Sequence, residues 1–199
     1  YCQLGKTVQW SNERKDFVPT QNILAEIQAL PEMELDYITF SGRGEPTLAA
    51  NLGDMIKGIR KIRASKIAVI TNSILMGDAV VRKDLNLADF VLAKLDACDD
   101  ETLKSVDKVM QHISFEQIVK GIQQFRKEFK GKLALQIMFV AANKNFAPQI
   151  AKIAKGIGAD EVELNTPLRP SAAPPLSPFE LLKIKKYFSG LNAKTVYEL

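Results

Sequence analysis

The chain has 199 residues, 46% of them hydrophobic and 25% charged, the balance of a globular domain with one well-buried core. No run approaches the ~18 consecutive apolar residues that a membrane-spanning helix needs, so no membrane partner is expected. A net charge of +4, from 27 Lys and Arg against 23 Asp and Glu, permits an anionic partner such as tRNA or a nucleotide without arguing for one. Cys2 and Cys98 lie far apart and make no disulfide framework, which points to a reducing, cytoplasmic setting. The chain opens on Tyr1, and residues 195–199 read as the start of another element. Both ends are therefore expected to be incomplete.

In chain order, helical periodicity puts Ile23, Leu24, Ile27 and Leu30 on one face of a helix that starts at Thr20 and is stopped by Pro31. Residues 35–41 form a short β-rich run ending at Gly42, after which Leu52, Met55, Ile56, Ile59 and Ile62 recur at helical spacing. Residues 66–71 predict a second strand, residues 78–84 a weakly patterned helix, and residues 89–95 a third strand. Ser114 and Gln117 read as a capping box for a helix burying Phe115, Ile118, Val119, Ile122, Phe125 and Phe129. A fourth strand over 133–140 leads to a helix near Pro148, with Ile150, Ile153, Ala154 and Ile157 inward and Gly158 closing it. Residues 162–165 are the fifth strand. Ser177, Pro178 and Glu180 combine an N-cap, a first-turn proline and a capping box for a helix through Leu181, Leu182, Ile184, Tyr187 and Phe188. The connection before it, residues 167–178, holds five prolines and is stiff and extended. Strand–helix alternation of this kind implies βαβ units and a parallel sheet in one domain. Periodicity does not separate a doubly wound sheet from a barrel, but both place the active site at the C-terminal strand ends.

The strongest local signal is Phe40-Ser41-Gly42-Arg43-Gly44-Glu45-Pro46-Thr47, directly after a strand. Its two glycines tolerate positive φ and let a ligand approach the backbone closely. Glu45 adds a carboxylate, and Pro46 fixes the chain without contributing an N–H, so the loop suits a cationic group. The same residues would also serve as a tight strand-to-helix turn. Here the chain resembles the radical S-adenosylmethionine (SAM) superfamily. The Gly-Gly-Glu-Pro-type motif of that family maps onto Gly42, Gly44, Glu45 and Pro46, with Arg43 as an insertion-like departure. Tyr1-Cys2 is similar to the aromatic–Cys end of the family's Cys-x3-Cys-x-aromatic-Cys motif.

The resemblance implies a partial (βα)6 TIM-type barrel, α/β in class, with parallel strands inside and helices outside. It implies a [4Fe–4S] cluster held by three cysteines, with the fourth iron chelating SAM, an arrangement that departs from full thiolate ligation. An electron from the cluster then cleaves SAM, and the 5′-deoxyadenosyl radical takes hydrogen from the substrate. On this reading Cys2 is the third cluster ligand, Tyr1 packs beside the adenine, and Gly42, Gly44, Glu45 and Pro46 hold SAM's methionyl amino group. The other two cysteine ligands are absent from this sequence, so as written it cannot hold the cluster by itself.

Alternation of period two puts Thr39 with Ser41, Lys94 with Asp96, Gln136 with Met138, and Glu163 with Asn165 on shared faces. With helices outside a barrel, that polar set points into the lumen. Asn72, Lys94, Asp96, Gln136 and Asn165 are thus candidates for SAM or substrate contacts: Lys94 to SAM's carboxylate, Asp96 to a ribose hydroxyl or to Lys94 itself. Each fits a satisfied lumen network as well. Arg169 belongs on the upper rim and suits a carboxylate or phosphate. Cys98 reads as a packing residue or partly exposed thiol, and His112 receives no role. Residues 1–7, 91–97 and 164–170 are similar to a wyosine-synthetase-like branch of the family, which implies tRNA base modification. The expected function is a radical SAM enzyme acting on a small molecule or tRNA, reduced by ferredoxin or flavodoxin. A glycyl-radical-enzyme activase and a degenerate, non-catalytic barrel are the alternatives.

Overall fold

The structure is a computed structural model; it describes residues 1, 11, 13–42 and 44–198, so Cys2 and Arg43 lie outside the described residues. Among the described residues, strands β1 (Tyr37–Phe40), β2 (Lys66–Thr71), β3 (Phe90–Lys94), β4 (Lys132–Met138), β5 (Glu161–Asn165) and β6 (Ala193–Thr195) form one sheet. All neighbours are parallel and the order across the sheet is the order along the chain. The helices are α1 (Thr20–Ala29), α2 (Leu52–Ile62), α3 (Ala79–Leu85), α4 (Asp100–Val106), α5 (Phe115–Glu128), α6 (Ala147–Ile157) and α7 (Pro178–Lys185).

That strand order settles what periodicity left open. A doubly wound sheet reverses its order at a switch point. With right-handed crossovers, an order that never reverses returns every helix to the same face. One face is therefore covered by helices and the other becomes the lumen of an open (βα) barrel. Ile67 and Val69 of β2, Val91 and Ala93 of β3, Leu133, Leu135 and Ile137 of β4, and Val162 and Leu164 of β5 all join the helix-side core. Each large aliphatic side chain buried this way contributes about 1.5–3 kcal/mol. The intervening residues, among them Lys94, Gln136, Glu163 and Asn165, point to the lumen.

Several local expectations change. The sixth strand is only three residues long, too short to show a period of two, yet it pairs Glu163 with Lys194 in register. Helix α4 has a sequence with little periodicity and forms through a capping box, in which Asp99 Oδ1 accepts from the Thr102 N–H at 2.8 Å. Ser114 is the N-cap of α5, but its side chain makes no capping bond; the Phe115 N–H donates instead to Asp100 Oδ1 at 2.6 Å. The Ser177–Glu180 box forms as read, with the Ser177 N–H donating to Glu180 Oε2 at 3.0 Å. Strand β4 stops at Met138 because Asn143 turns the chain, its Oδ1 accepting from the Val140 N–H at 2.8 Å. Helix α1 buries none of its residues fully and Leu30 stays 43% exposed.

Gly121 of α5 fixes the segment after β2. A Cβ there would lie 2.6 Å from Gly77 N and 2.8 Å from Met76 C, so α5 packs directly on the backbone of the 3-10 turn Ile74–Gly77. No helix among the described residues is long and apolar enough to cross a membrane.

Candidate functional site

After β1 the chain turns through Gly42, whose φ of +138° suits glycine. A Cβ built on Gly42 or Gly44 meets no atom of the described residues within 4 Å, so among them the loop is open above its backbone rather than packed. Glu45 then caps the 3-10 turn Pro46–Leu48. Its Oε1 accepts from the Thr47 N–H at 3.1 Å, the Thr47 hydroxyl at 2.7 Å and the Thr71 hydroxyl at 2.6 Å. Its Oε2 accepts from the Asn72 N–H at 2.7 Å. Four donors from the Pro46–Leu48 turn and the end of β2 thus hold one carboxylate, and among the described residues a lone pair on Oε2 is left for another donor. Arg14 braces the turn from behind, donating to Thr47 O at 2.9 Å, Ala49 O at 3.0 Å and Asp84 Oδ2 at 2.6 Å.

The network continues from strand to strand. Thr71 Oγ1 accepts from the Ser73 N–H at 3.1 Å, and the Ser73 hydroxyl donates to Lys94 O at 3.0 Å. Ser73 is buried with φ +69°, a strained setting for a non-glycine residue that these bonds hold in place. Asn72 sits exposed on the rim, its Oδ1 closing the turn with the Ile74 N–H at 3.0 Å. Lys94 Nζ lies 3.2 Å from Asp96 Oδ2, donates to Gln136 Oε1 at 3.5 Å, and stands 5.1 Å from the centre of the Tyr1 ring. Gln136 Nε2 in turn donates to Glu163 Oε2 at 3.0 Å.

Asp96 is almost fully buried and anchors the centre. Its Oδ1 accepts from the Met138 N–H at 2.6 Å, and the Tyr1 hydroxyl donates to its Oδ2 while lying 3.0 Å from Asp107 Oδ1. Burial, followed by the charge of Asp96, pushes the Asp107 carboxyl well above the usual carboxylate range, with Lys94 partly opposing. Burial and the two carboxylates likewise push the Tyr1 phenol upward. Asn143 locks the strand ends from below, its Nδ2 donating to Asp96 O at 2.8 Å and to Met138 O at 2.9 Å. Asn165 stands opposite Met138 in register; its Oδ1 is buried and has no hydrogen-bond partner among the described residues.

The fold therefore joins Tyr1, Glu45, Lys94, Asp96 and Gln136 in one network, with Gly42, Gly44 and Pro46 bordering it and Asn72 entering through its backbone. Thr71, Ser73, Asp107, Asn143 and Glu163 also belong to it, although sequence reasoning gave none of them a role. Glu163 could have been found, because it shares a face with Asn165. Asp107 could not, because it follows α4 as its C-cap and that helix has no clear pattern. Arg169 is exposed on the rim, and the half-buried Cys98 is engaged with Asp99 and Thr102. Among the described residues no cluster of His, Cys, Asp and Glu is arranged to hold a metal ion.

With this geometry in view, residues 1–144 match the Radical SAM superfamily. The chain belongs to the radical SAM superfamily. Among curated relatives, the UPF0026 protein slr1464 of Synechocystis is 40% identical over 171 residues, covering 85% of this chain and 64% of that protein. The UPF0026 protein MJ1312 of Methanocaldococcus jannaschii is 30% identical over 199 residues, covering 96% of this chain and 62% of that protein. This radical SAM chain thus spans less than two thirds of their length. The structure of TYW1 with a lysine-pyruvate adduct bound has a TM-score of 0.62 at 19% identity, over 77% of this chain and 49% of that one. That likeness is one of fold, and it agrees with the partial barrel.

Proposed function

We propose that this radical SAM chain is the SAM-binding barrel of an enzyme that cleaves SAM at a [4Fe–4S] cluster and removes hydrogen from a small-molecule substrate. A one-electron carrier such as ferredoxin or flavodoxin is the proposed reductant. The observation that carries this reading is the Glu45 carboxylate, pre-oriented by four donors beside the open backbone of Gly42 and Gly44. A fixed carboxylate with a spare lone pair suits a primary ammonium such as SAM's methionyl amino group. Pro46 keeps that turn rigid and adds no competing donor. Lys94 offers a cation for SAM's carboxylate, and Asp96, tethered through Met138 and Asn143, accepts from a ribose hydroxyl. Tyr1 lies beside the adenine, while Asn72, Gln136 and Asn165 line the remaining wall. Cys2, next to Tyr1, is the proposed third thiolate. When bound, the cluster and SAM supply reductive cleavage and hydrogen-atom abstraction, while the chain's own residues bind, orient and exclude water.

The test is anaerobic reconstitution of the full-length protein, scored by cluster absorbance and 5′-deoxyadenosine formation. Glu45→Ala should keep the cluster and weaken SAM binding by at least about tenfold, the effect of losing ~1.4 kcal/mol. A full-length protein with neither cluster nor SAM cleavage overturns the reading.

A further inference from the structure

We infer that the upper lumen wall of β5 is a substrate subsite for a protonated aliphatic amine, with Glu163 as its counter-ion and Asn165 as a second acceptor. This deepens the reading above and rests on the lumen being the active site. The lumen face of β5 carries Glu161, Glu163 and Asn165, three acceptors in a row, and they are not equally answered. Glu161 has cations on both sides, Lys132 at 2.8 Å and Lys194 at 3.9 Å. Glu163 has none. Its one hydrogen-bond donor among the described residues is the neutral Gln136 amide at 3.0 Å. Lys194 stands opposite it in register but turns to Glu161, and the Lys94 ammonium lies at Asp96 and Gln136.

With Lys94 on its Oε1, the Gln136 amide turns its Nε2 to Glu163, where it supplies a hydrogen bond but no charge. Two residues along the same face, Asn165 Oδ1 is buried without a donor among the described residues. A buried carbonyl oxygen left unmet is costly, and an incoming N–H relieves it. The surroundings suit a hydrocarbon stem: Met138 lies beside Asn165 in register, and Leu92 and Ala134, paired across β3 and β4, line the layer beneath. An anion would meet the Glu163 carboxylate, and a neutral polyol would bring it no counter-charge. A group with several donors and a positive charge answers both acceptors.

The experiment measures binding of n-butylammonium, 1-butanol and butyrate to the full-length protein by ligand-observed NMR. S-adenosylhomocysteine is present throughout to fill the Glu45 loop. The amine should bind about tenfold or more tightly than either isostere, a difference of ~1.4 kcal/mol. Glu163→Gln should erase that preference, Asn165→Leu should weaken amine binding, and Lys194→Met should tighten it. Equal binding of all three compounds overturns the inference, as does a preference that survives Glu163→Gln. If Glu163→Gln does not fold, the wild-type comparison still decides. Amine selectivity without SAM cleavage in the reconstituted protein sinks the proposed function alone, and cleavage without amine selectivity sinks the subsite alone.

Discussion

Glu45→Gln isolates the carboxylate that organises the strand ends, because the side chain keeps its shape and loses only its charge and one acceptor. As an amide oxygen, Oε1 retains its three donors from Thr47 and Thr71. The new NH2 then faces the Asn72 N–H across 2.7 Å, donor against donor. One hydrogen bond to a charged group, worth about 1.5–3 kcal/mol, is lost, and the other three weaken towards the ~1 kcal/mol of neutral bonds. Water reaches Asn72 and recovers part of the loss, so the expected cost is about 2–4 kcal/mol of folding stability. Thr71→Val removes one of the same donors, and combining the two should show a coupling of about 1 kcal/mol rather than additive losses. Urea unfolding followed by circular dichroism would show the midpoint fall at constant slope. A Glu45→Gln midpoint within about 0.5 kcal/mol of wild type, with no coupling to Thr71→Val, would mean that the carboxylate is solvated rather than held, and the argument for a pre-oriented loop would collapse.

Gly121→Ala should lower the melting temperature: the added Cβ meets the backbone of Gly77 at 2.6 Å, and overpacking of about 1–3 kcal/mol outweighs a helix-propensity gain of at most ~1 kcal/mol. A higher melting temperature would refute that packing. Asp107→Asn reads the buried carboxyl, whose folded-state value is raised, so its contribution to stability is intact at acid pH and is lost as pH rises through that value. The variant should therefore melt near wild type at acid pH and increasingly above it towards neutrality; a gap that does not change with pH would count against the raised value. Ser177→Ala should cost about 1 kcal/mol by removing the N-cap of α7, measurable as a midpoint shift in denaturant; no shift would show that the box adds nothing.

The βα alternation and the inward set Lys94, Asp96 and Gln136 were legible because period two and period 3.6 are written directly in the residues. The choice of barrel over open sheet was not legible in periodicity and came only with the family resemblance, since it depends on strand order, which no single segment encodes. Glu45 was visible as chemistry, but its four donors come from Thr47, Thr71 and Asn72, and the last two lie at the end of β2, some 26 positions on. Asp107 was invisible for a related reason. The helix it caps is specified by the Asp99–Thr102 cap rather than by an apolar stripe, and its partners Tyr1 and Asp96 are 106 and 11 positions away in sequence. The capping box at Ser114 misled in the opposite direction. A motif that is correct locally loses when a distant carboxylate, Asp100, reaches the same N–H first.

Because every crossover returns on one side, each strand carries two interleaved sets of residues that answer to different demands. Val91, Ala93, Leu135, Ile137 and Leu164 meet helices and are constrained by volume, whereas Leu92, Lys94, Gln136, Glu163 and Asn165 face the lumen, where the proposed ligand would set the constraint. A change of specificity can thus accumulate at the second set, one residue per strand, while the core stays as it is. A single-residue insertion within β4 would do the reverse, turning Ile137 inward and Gln136 outward at once, and forfeiting both the packing and the chemistry.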